Sequence, residues 1–162
     1  MTITIRPAGP ADADAVWAIL EPTIRAGETY ALPRDGSRAA MLAYWFAPAH
    51  RVLVAEAEGD VLGTYTLRAN QAGGGDHVAN ASFMTRPDAT GRGVARTMGA
   101  HALGTARAAG FTAMQFNFVV ATNTRAVALW TSLGFAQVGR LPGVFRHPDL
   151  GLVDALVMHR VL

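Results

Sequence analysis

The hydrophobic positions change period several times along the chain, and each change marks an element. Thr2 to Arg6 alternates apolar and polar residues, the period of a strand with one buried face. Gly9-Pro10-Ala11-Asp12 opens a helix, with proline in the first turn and Asp12 and Asp14 at its positive end. Val16, Ile19 and Leu20 form its apolar stripe, and Pro22 ends or kinks it. Arg25 to Arg34 contains Gly and Pro and predicts an ordered loop. Ser37 caps a second helix running to about Phe46. Arg51–Glu56 and Val61–Leu67 are strands on either side of the turn Glu58-Gly59-Asp60. Ala69 to Asp76, with Gly73-Gly74-Gly75, is a connection, and Val78–Thr85 is the fourth strand. A helix from about Gly91 to Ala109 puts Val94, Met98, Ala102 and Ala106 on one face and stops at Gly110. Ala113–Val120 is a fifth strand and Thr124–Leu133 a fourth helix, stopped by Gly134. Phe135–Arg140 is a sixth strand and Leu152–Val161 a seventh. Pro142 and Pro148 predict a loop over Leu141–Gly151.

The resulting order is β-α-α-β-β-β-α-β-α-β-β. Hairpins fill the first half and β-α-β units the second, which calls for antiparallel and parallel pairing in one sheet. The expectation is a single α/β (α+β) domain over residues 1–162, with about seven strands and four helices. A ligand is expected where neighbouring strands diverge, at the helix start after the fourth strand.

Composition narrows the classes. The chain is 51% apolar over 162 residues, enough for one sizeable core. It has no cysteine, which excludes disulfides, thiolate metal sites and a cysteine nucleophile. No metal is expected. No apolar run approaches the roughly 18 residues that span a bilayer, and the first residues lack a signal-peptide core. A cytoplasmic protein with no membrane partner is the expectation. All 14 basic residues are arginine, so a lysine nucleophile is also excluded.

The net charge of +2 hides a segregation. From Ala89 to Pro148 there is no Asp or Glu, while Arg92, Arg96, Arg107, Arg125, Arg140 and Arg146 lie there. That half suits a compact polyanion. The arginines are scattered singly, with no aromatic platform between them, so nucleic acid is not the expected partner. At the start of this half, Thr85 to Arg96 reads strand end, glycine loop, helix start. The first N–H groups of a helix have no internal partner and its dipole favours negative charge, so such a turn can cradle phosphates. A glycine loop alone is also compatible with an ordinary strand–helix connection.

Two stretches carry a resemblance. Thr90-Gly91-Arg92-Gly93-Val94-Ala95 resembles the acetyl-CoA loop Q/R-x-x-G-x-G/A of the GCN5-related N-acetyltransferase (GNAT) family. Asn123 to Phe135 resembles that family's second signature, N-x-x-A-x-x-L-Y-x-x-x-G-F, at the expected distance. The resemblance implies the GNAT fold, with the fourth and fifth strands splayed around acetyl-CoA, and acetyl transfer to an amine. It implies that the amides of Gly91, Arg92, Gly93, Val94, Ala95 and Arg96 hold the pyrophosphate. It implies that the backbone of Phe83, Met84, Thr85 and Arg86 pairs with the pantetheine arm, bordered by Asn123 and Trp130. A homodimer is a further expectation.

The sequence departs from the pattern twice. Thr90 stands at the Q/R position, where it could cap the helix. Trp130 stands where the family usually has the Tyr that protonates the leaving thiolate. An indole N–H is no acid in this range, which leaves Trp130 packing on the cofactor or in the core.

Asn80 and Asn117 interrupt apolar strands, and Asn123 lies seven residues before Trp130, on the same helix face. The pattern of Asn80, Asn117, Asn123 and Trp130 is similar to the branch that includes the fungal proline-analogue N-acetyltransferases, which act on azetidine-2-carboxylate. That similarity implies acceptor recognition by Asn80, with Phe83, and acetyl transfer at Asn117 and Asn123. Each amide could instead satisfy backbone groups. No glutamate lies on the fourth strand. Glu28, Tyr30 and His147 are the remaining candidates for acceptor contact or proton removal.

Overall fold

Seven strands form one sheet in the order β1-β2-β3-β4-β5-β7-β6 in the computed structural model, which describes all of residues 1–162. The strands are β1 Thr4–Pro7, β2 Arg51–Ala57, β3 Asp60–Ala69, β4 Val78–Thr85, β5 Ala113–Val120, β6 Ala136–His147 and β7 Gly151–Val161. The helices are α1 Ala13–Ala26, α2 Arg38–Trp45, α3 Val94–Ala108 and α4 Thr124–Ser132. All neighbours run antiparallel except β4 and β5.

Alternation sorts the side chains onto two faces. Tyr65, Leu67, Ala79, Ala81, Met114 and Phe116 join α3 and Trp130 of α4 in the larger core. Val52, Val54 and Met84 join α1 and α2 in a smaller one. Gly99 permits close approach of α3 to α4: a Cβ there would stand 2.7 Å from Leu133 Cδ1 and 3.1 Å from Trp130 Cζ3. Ser37 caps α2, its side chain accepting from the Ala40 N–H at 3.1 Å. The turn between β2 and β3 has Glu58 at φ 54° and Gly59 at φ 87°, the two left-handed residues of a tight hairpin.

Two segments depart from the sequence expectation. Leu141–Gly151, expected as a loop, is largely strand. β6 pairs only with β7 at the end of the sheet, and an edge strand tolerates the missing N–H of Pro142. The register slips between Leu141 and Phe145, and the Gly143 N–H donates to Asp154 Oδ1 at 2.9 Å. Helix α3 begins at Val94 rather than Gly91, with Gly93 in the left-handed conformation at its cap and no side-chain cap. Thr90 therefore does not cap the helix. Its N–H instead bonds to the Pro87 carbonyl.

An ion cluster ties the N-terminal elements together. Arg6 on β1 bonds to Asp12 Oδ1 at 2.9 Å and to Glu56 Oε2 on β2 at 2.8 Å. The Arg6 guanidinium holds the Asp12 carboxyl below the usual carboxylate range, against the opposing effect of burial. A carboxyl lowered on folding contributes stability above its unfolded pKa of about 3.9, and that contribution is lost as pH falls through the folded value. Asp12→Asn should therefore be less stable than the parent at pH 7 in urea unfolding, and the difference should shrink below about pH 4. Gly99→Val should lower stability by about 1–3 kcal/mol in the same assay, because Leu133 and Trp130 must both move to admit it.

Candidate functional site

Strands β4 and β5 pair at only two positions, Val78 with Ala113 and Ala79 with Met114. Beyond them β5 turns away. Its register on β7 slips between Phe116 and Val119, where β5 spends one residue more than its partner. Such a bulge bends the strand and increases its twist. Asn117 and Phe118 occupy the slip, so Asn117 marks the bend that opens the sheet.

The opening leaves backbone groups of β4 without a strand partner, and side chains answer them. Asn80 is 9% exposed, and its Nδ2 donates to the Gln115 carbonyl at 3.0 Å, bridging the first step of the gap. Further along, the Tyr30 hydroxyl donates to the Phe83 carbonyl at 2.7 Å and accepts from the Phe83 N–H at 2.9 Å. One phenol thus replaces both hydrogen bonds of an absent strand. Burial pushes the Tyr30 phenol well above its ordinary pKa, so it is a proton donor near neutral pH and no base.

Two cavities flank this gap. One, of about 520 Å³, is lined by Met84, Thr85, Thr90, Gly91, Gly93, Val94, Ala95 and Arg96 together with Arg125. The other, of about 250 Å³, lies on the α1–α2 side and is lined by Leu32, Tyr44, Arg68, Asn80, Ser82 and Asn117 among others. Thr29, Tyr30, Phe83, Asn123, Ala126 and Trp130 line both, forming a shared waist.

The larger cavity has the chemistry of an anion site. Helix α3 makes its first internal hydrogen bond from Thr97 N–H to the Gly93 carbonyl, so the amides of Val94, Ala95 and Arg96 have no helical acceptor. Gly91 and Gly93 both have φ 82°, and no atom lies within 4 Å of where a Gly93 Cβ would stand. Arg125 Nη2 is 3.9 Å from the corresponding point on Gly91. A pyrophosphate fits this cradle: free amides, a helix N-terminus, an open approach over glycine, and Arg96 and Arg125 at the rim.

At the waist Trp130 is 8% exposed and packs into an aromatic group. Its ring centroid lies 4.9 Å from Phe83 and 4.8 Å from Phe116, and Phe116 stacks on Phe135 at 4.4 Å. Trp130 is therefore both core and cavity wall. Asn123 Oδ1 caps α4 by accepting from Ala126 N–H at 3.3 Å. Asn117 lines only the smaller cavity, where its amide links Gln115 (2.9 Å) and Asn70 (2.6 Å).

Several sequence-derived candidates lie elsewhere. Glu28 is exposed and lines neither cavity. Arg92 points to Met1 Sδ, away from the cradle. The Arg86 side chain bonds to Asp88 at 2.6 Å, and its N–H bonds back to Leu62 on β3. Backbone direction alternates along a strand, so Phe83 and Thr85 face the gap while Met84 and Arg86 face β3; Tyr30 takes both backbone groups of Phe83, which leaves those of Thr85 open to a ligand. Met84 can offer only its side chain. His147 closes the β6–β7 turn, where Nδ1 accepts from Asp149 N–H at 3.1 Å, and it is not part of either cavity. Arg68 and Arg125 were not among the candidates. Arg125 stood in the acid-free half beside Asn123, a signal that could have found it. Arg68 carried none.

Comparison with known proteins follows the geometry. The sequence model described as the acetyltransferase (GNAT) family matches residues 14–135. The N-acetyltransferase aca1 of Schizosaccharomyces pombe is 31% identical over 98 residues, covering 60% of this chain and 47% of that protein. The chain thus spans about half the length of this curated relative. A GCN5-related N-acetyltransferase from Kribbella flavida is 42% identical and superposes with a TM-score of 0.93, over 99% of this chain and 98% of its own. A phosphinothricin acetyltransferase from Sinorhizobium meliloti, solved in complex with acetyl-CoA, shares the fold with a TM-score of 0.87 at 24% identity, covering 100% of this chain and 89% of its own. The family match runs from α1 through the glycine loop to the end of the second motif, so the chain belongs to the acetyltransferase (GNAT) family.

Proposed function

We propose that the protein transfers the acetyl group of acetyl-CoA to the nitrogen of a small amine or imino acid by direct attack. The observation that carries this reading is the shared waist: an anion cradle and a small second cavity meet at Tyr30, Phe83, Asn123 and Trp130. A two-substrate transfer needs such a meeting point, because the nucleophile must approach the thioester within bonding reach. A cavity of about 250 Å³ also sits at the small end of ligand sites, which favours a small acceptor over a protein segment.

In this reaction the acceptor nitrogen bonds to the acyl carbon, the carbon–sulfur bond breaks, and the nitrogen loses a proton. The side chains of this chain would divide the work. The α3 amides and Arg125 hold the pyrophosphate, and the Thr85 backbone continues along the arm. Asn123 and Tyr30 face the reacting centre. Tyr30 is the one phenol at the waist, but its single O–H is given to the Phe83 carbonyl, so it positions β4 and the thiolate leaves without a protein acid, taking its proton from water. No Asp, Glu or His lines either cavity. The acceptor therefore attacks as its free base, with its proton passing to water.

A polyamine acceptor is disfavoured because the smaller cavity has no carboxylate to meet a cation. A drug or herbicide amine or a protein N-terminus remains a second class of acceptor. A module that binds acyl-CoA without turnover is the reading of a different kind.

Thiol release from acetyl-CoA, followed across a panel of amines and amino acids, tests the proposal. Tight acetyl-CoA binding with no turnover on any acceptor would leave the binding module. Arg125→Ala should raise KM for acetyl-CoA about tenfold with little change in acceptor KM. Asn117→Ala should do the reverse, weakening use of the acceptor while acetyl-CoA affinity stays within about twofold. Equal effects on both substrates would contradict the division into two cavities. The pH profile follows from the missing base. Acceptor kcat/KM should climb about tenfold per pH unit up to the acceptor's own pKa. An inflection between about pH 4 and 7 that stays put when the acceptor is changed would show a protein base instead.

A further inference from the structure

Five arginines are half-buried: Arg6, Arg25, Arg68, Arg86 and Arg160. Four have acceptors. Arg6 pairs with Asp12 and Glu56, Arg25 with Glu21, Arg86 with Asp88, and Arg160 donates to the Leu133 carbonyl. Arg68 alone has neither an ion pair nor a hydrogen bond. It is also the only charged side chain among the 18 residues that line the smaller cavity. We propose that Arg68 binds a carboxylate on the acceptor, so that the acceptors are free α-amino or α-imino acids.

This inference rests on the acetyl-transfer reading and specifies its substrate class. A half-buried guanidinium without a counter-charge has all its donors available, and a ligand carboxylate meets them with paired, charge-assisted hydrogen bonds. The position is also right. Arg68 on β3 stands directly opposite Asn80 on β4, with Thr66 opposite Ser82 as the next pair toward the waist. Asn80 and Phe83 are three residues apart, about 10 Å along a strand. The extended arginine side chain together with one amino acid bridges that interval, leaving the carboxylate at the guanidinium and the nitrogen at the waist. The rest of the lining is neutral. Asn80, opposite Arg68, is neutral and has its Nδ2 engaged with the Gln115 carbonyl, so it offers the carboxylate no competing charge.

The same feature discriminates against other acceptors. A polyamine meets a like charge at Arg68. The first residue of a protein has its carboxyl group in a peptide bond and offers nothing for the guanidinium to pair with.

The test compares matched acceptors in the acetyl-CoA thiol-release assay: α-amino acids and cyclic α-imino acids, including azetidine-2-carboxylate, each beside its carboxamide. For the intact protein, kcat/KM should favour the carboxylate by about ten- to a hundredfold. Arg68→Gln should abolish that preference by raising the carboxylate acceptor's KM, while KM for acetyl-CoA and turnover of the carboxamide stay within about twofold. Arg68→Lys should keep part of the preference, because the charge remains and the fork is lost. Acetylation of amines and carboxamides with no carboxylate preference would overturn this inference and leave the acetyl-transfer reading intact. Arg68→Gln retaining the preference would overturn it as well. Absence of transfer to every compound, with acetyl-CoA bound, would overturn the acetyl-transfer reading and this inference with it. Should Arg68→Gln fail to fold, the carboxylate-to-carboxamide ratio of the intact protein and the partial loss in Arg68→Lys decide the matter.

Discussion

The molecule is built around an interruption in its own hydrogen-bond ladder. A sheet can open in its middle only if the backbone groups so exposed find other partners, because a buried, unpaired N–H or carbonyl costs about 1–3 kcal/mol. Here β4 and β5 part after two paired residues. Asn80 spans the first missing step, and the Tyr30 hydroxyl takes both backbone groups of Phe83. The polar residues that look misplaced in an apolar strand pattern are what allow the strands to part. The bulge at Asn117 and Phe118 directs β5 outward, and the aromatic stack of Phe116, Trp130 and Phe135 holds its buried face against the sheet as it goes.

The opening also separates two kinds of chemistry. On one side, free helix amides and two arginines form a site for a polyanion, in a stretch of chain without any acidic residue. On the other, neutral amides and hydroxyls surround a single unpaired guanidinium. The waist between them contains no titratable carboxylate or imidazole. Its polar side chains are the Thr29 hydroxyl, the Asn123 amide and the buried Tyr30 phenol, none of which removes a proton near neutral pH. An aromatic wall serves the same end, since a ring can pack against a thioester arm and seal the core at once.

Much of this was legible in the chain. Strand alternation, the turn at Glu58-Gly59-Asp60 and the apolar stripe of α3 depend on local spacing, and they found the element order and the mixed sheet. The glycine loop and the second motif pointed to the family. The misjudged places have identifiable causes. Pro142 reads as a loop signal, yet an edge strand has no partner on one side and accepts it. Thr90 has a capping side chain, but the backbone turns through Gly91 and Gly93 first, so the cap position falls to Gly93. Arg86 and Arg92 sit within the stretches whose backbone was expected to meet a ligand, but their N–H groups bond to the Leu62 and Ala89 carbonyls.

By itself the sequence determined the elements, their order, the segregation of charge and the glycine turn before α3, because each depends on residues near one another along the chain. Only the tertiary structure decided which side chains face the gap. Tyr30 meets Phe83 across 53 positions, and Arg68 meets the smaller cavity from a strand that carries no motif. Those meetings are set by where β5 leaves the sheet and where the α1–α2 loop crosses it. Both result from long-range packing, and neither leaves a periodic trace in the amino-acid order.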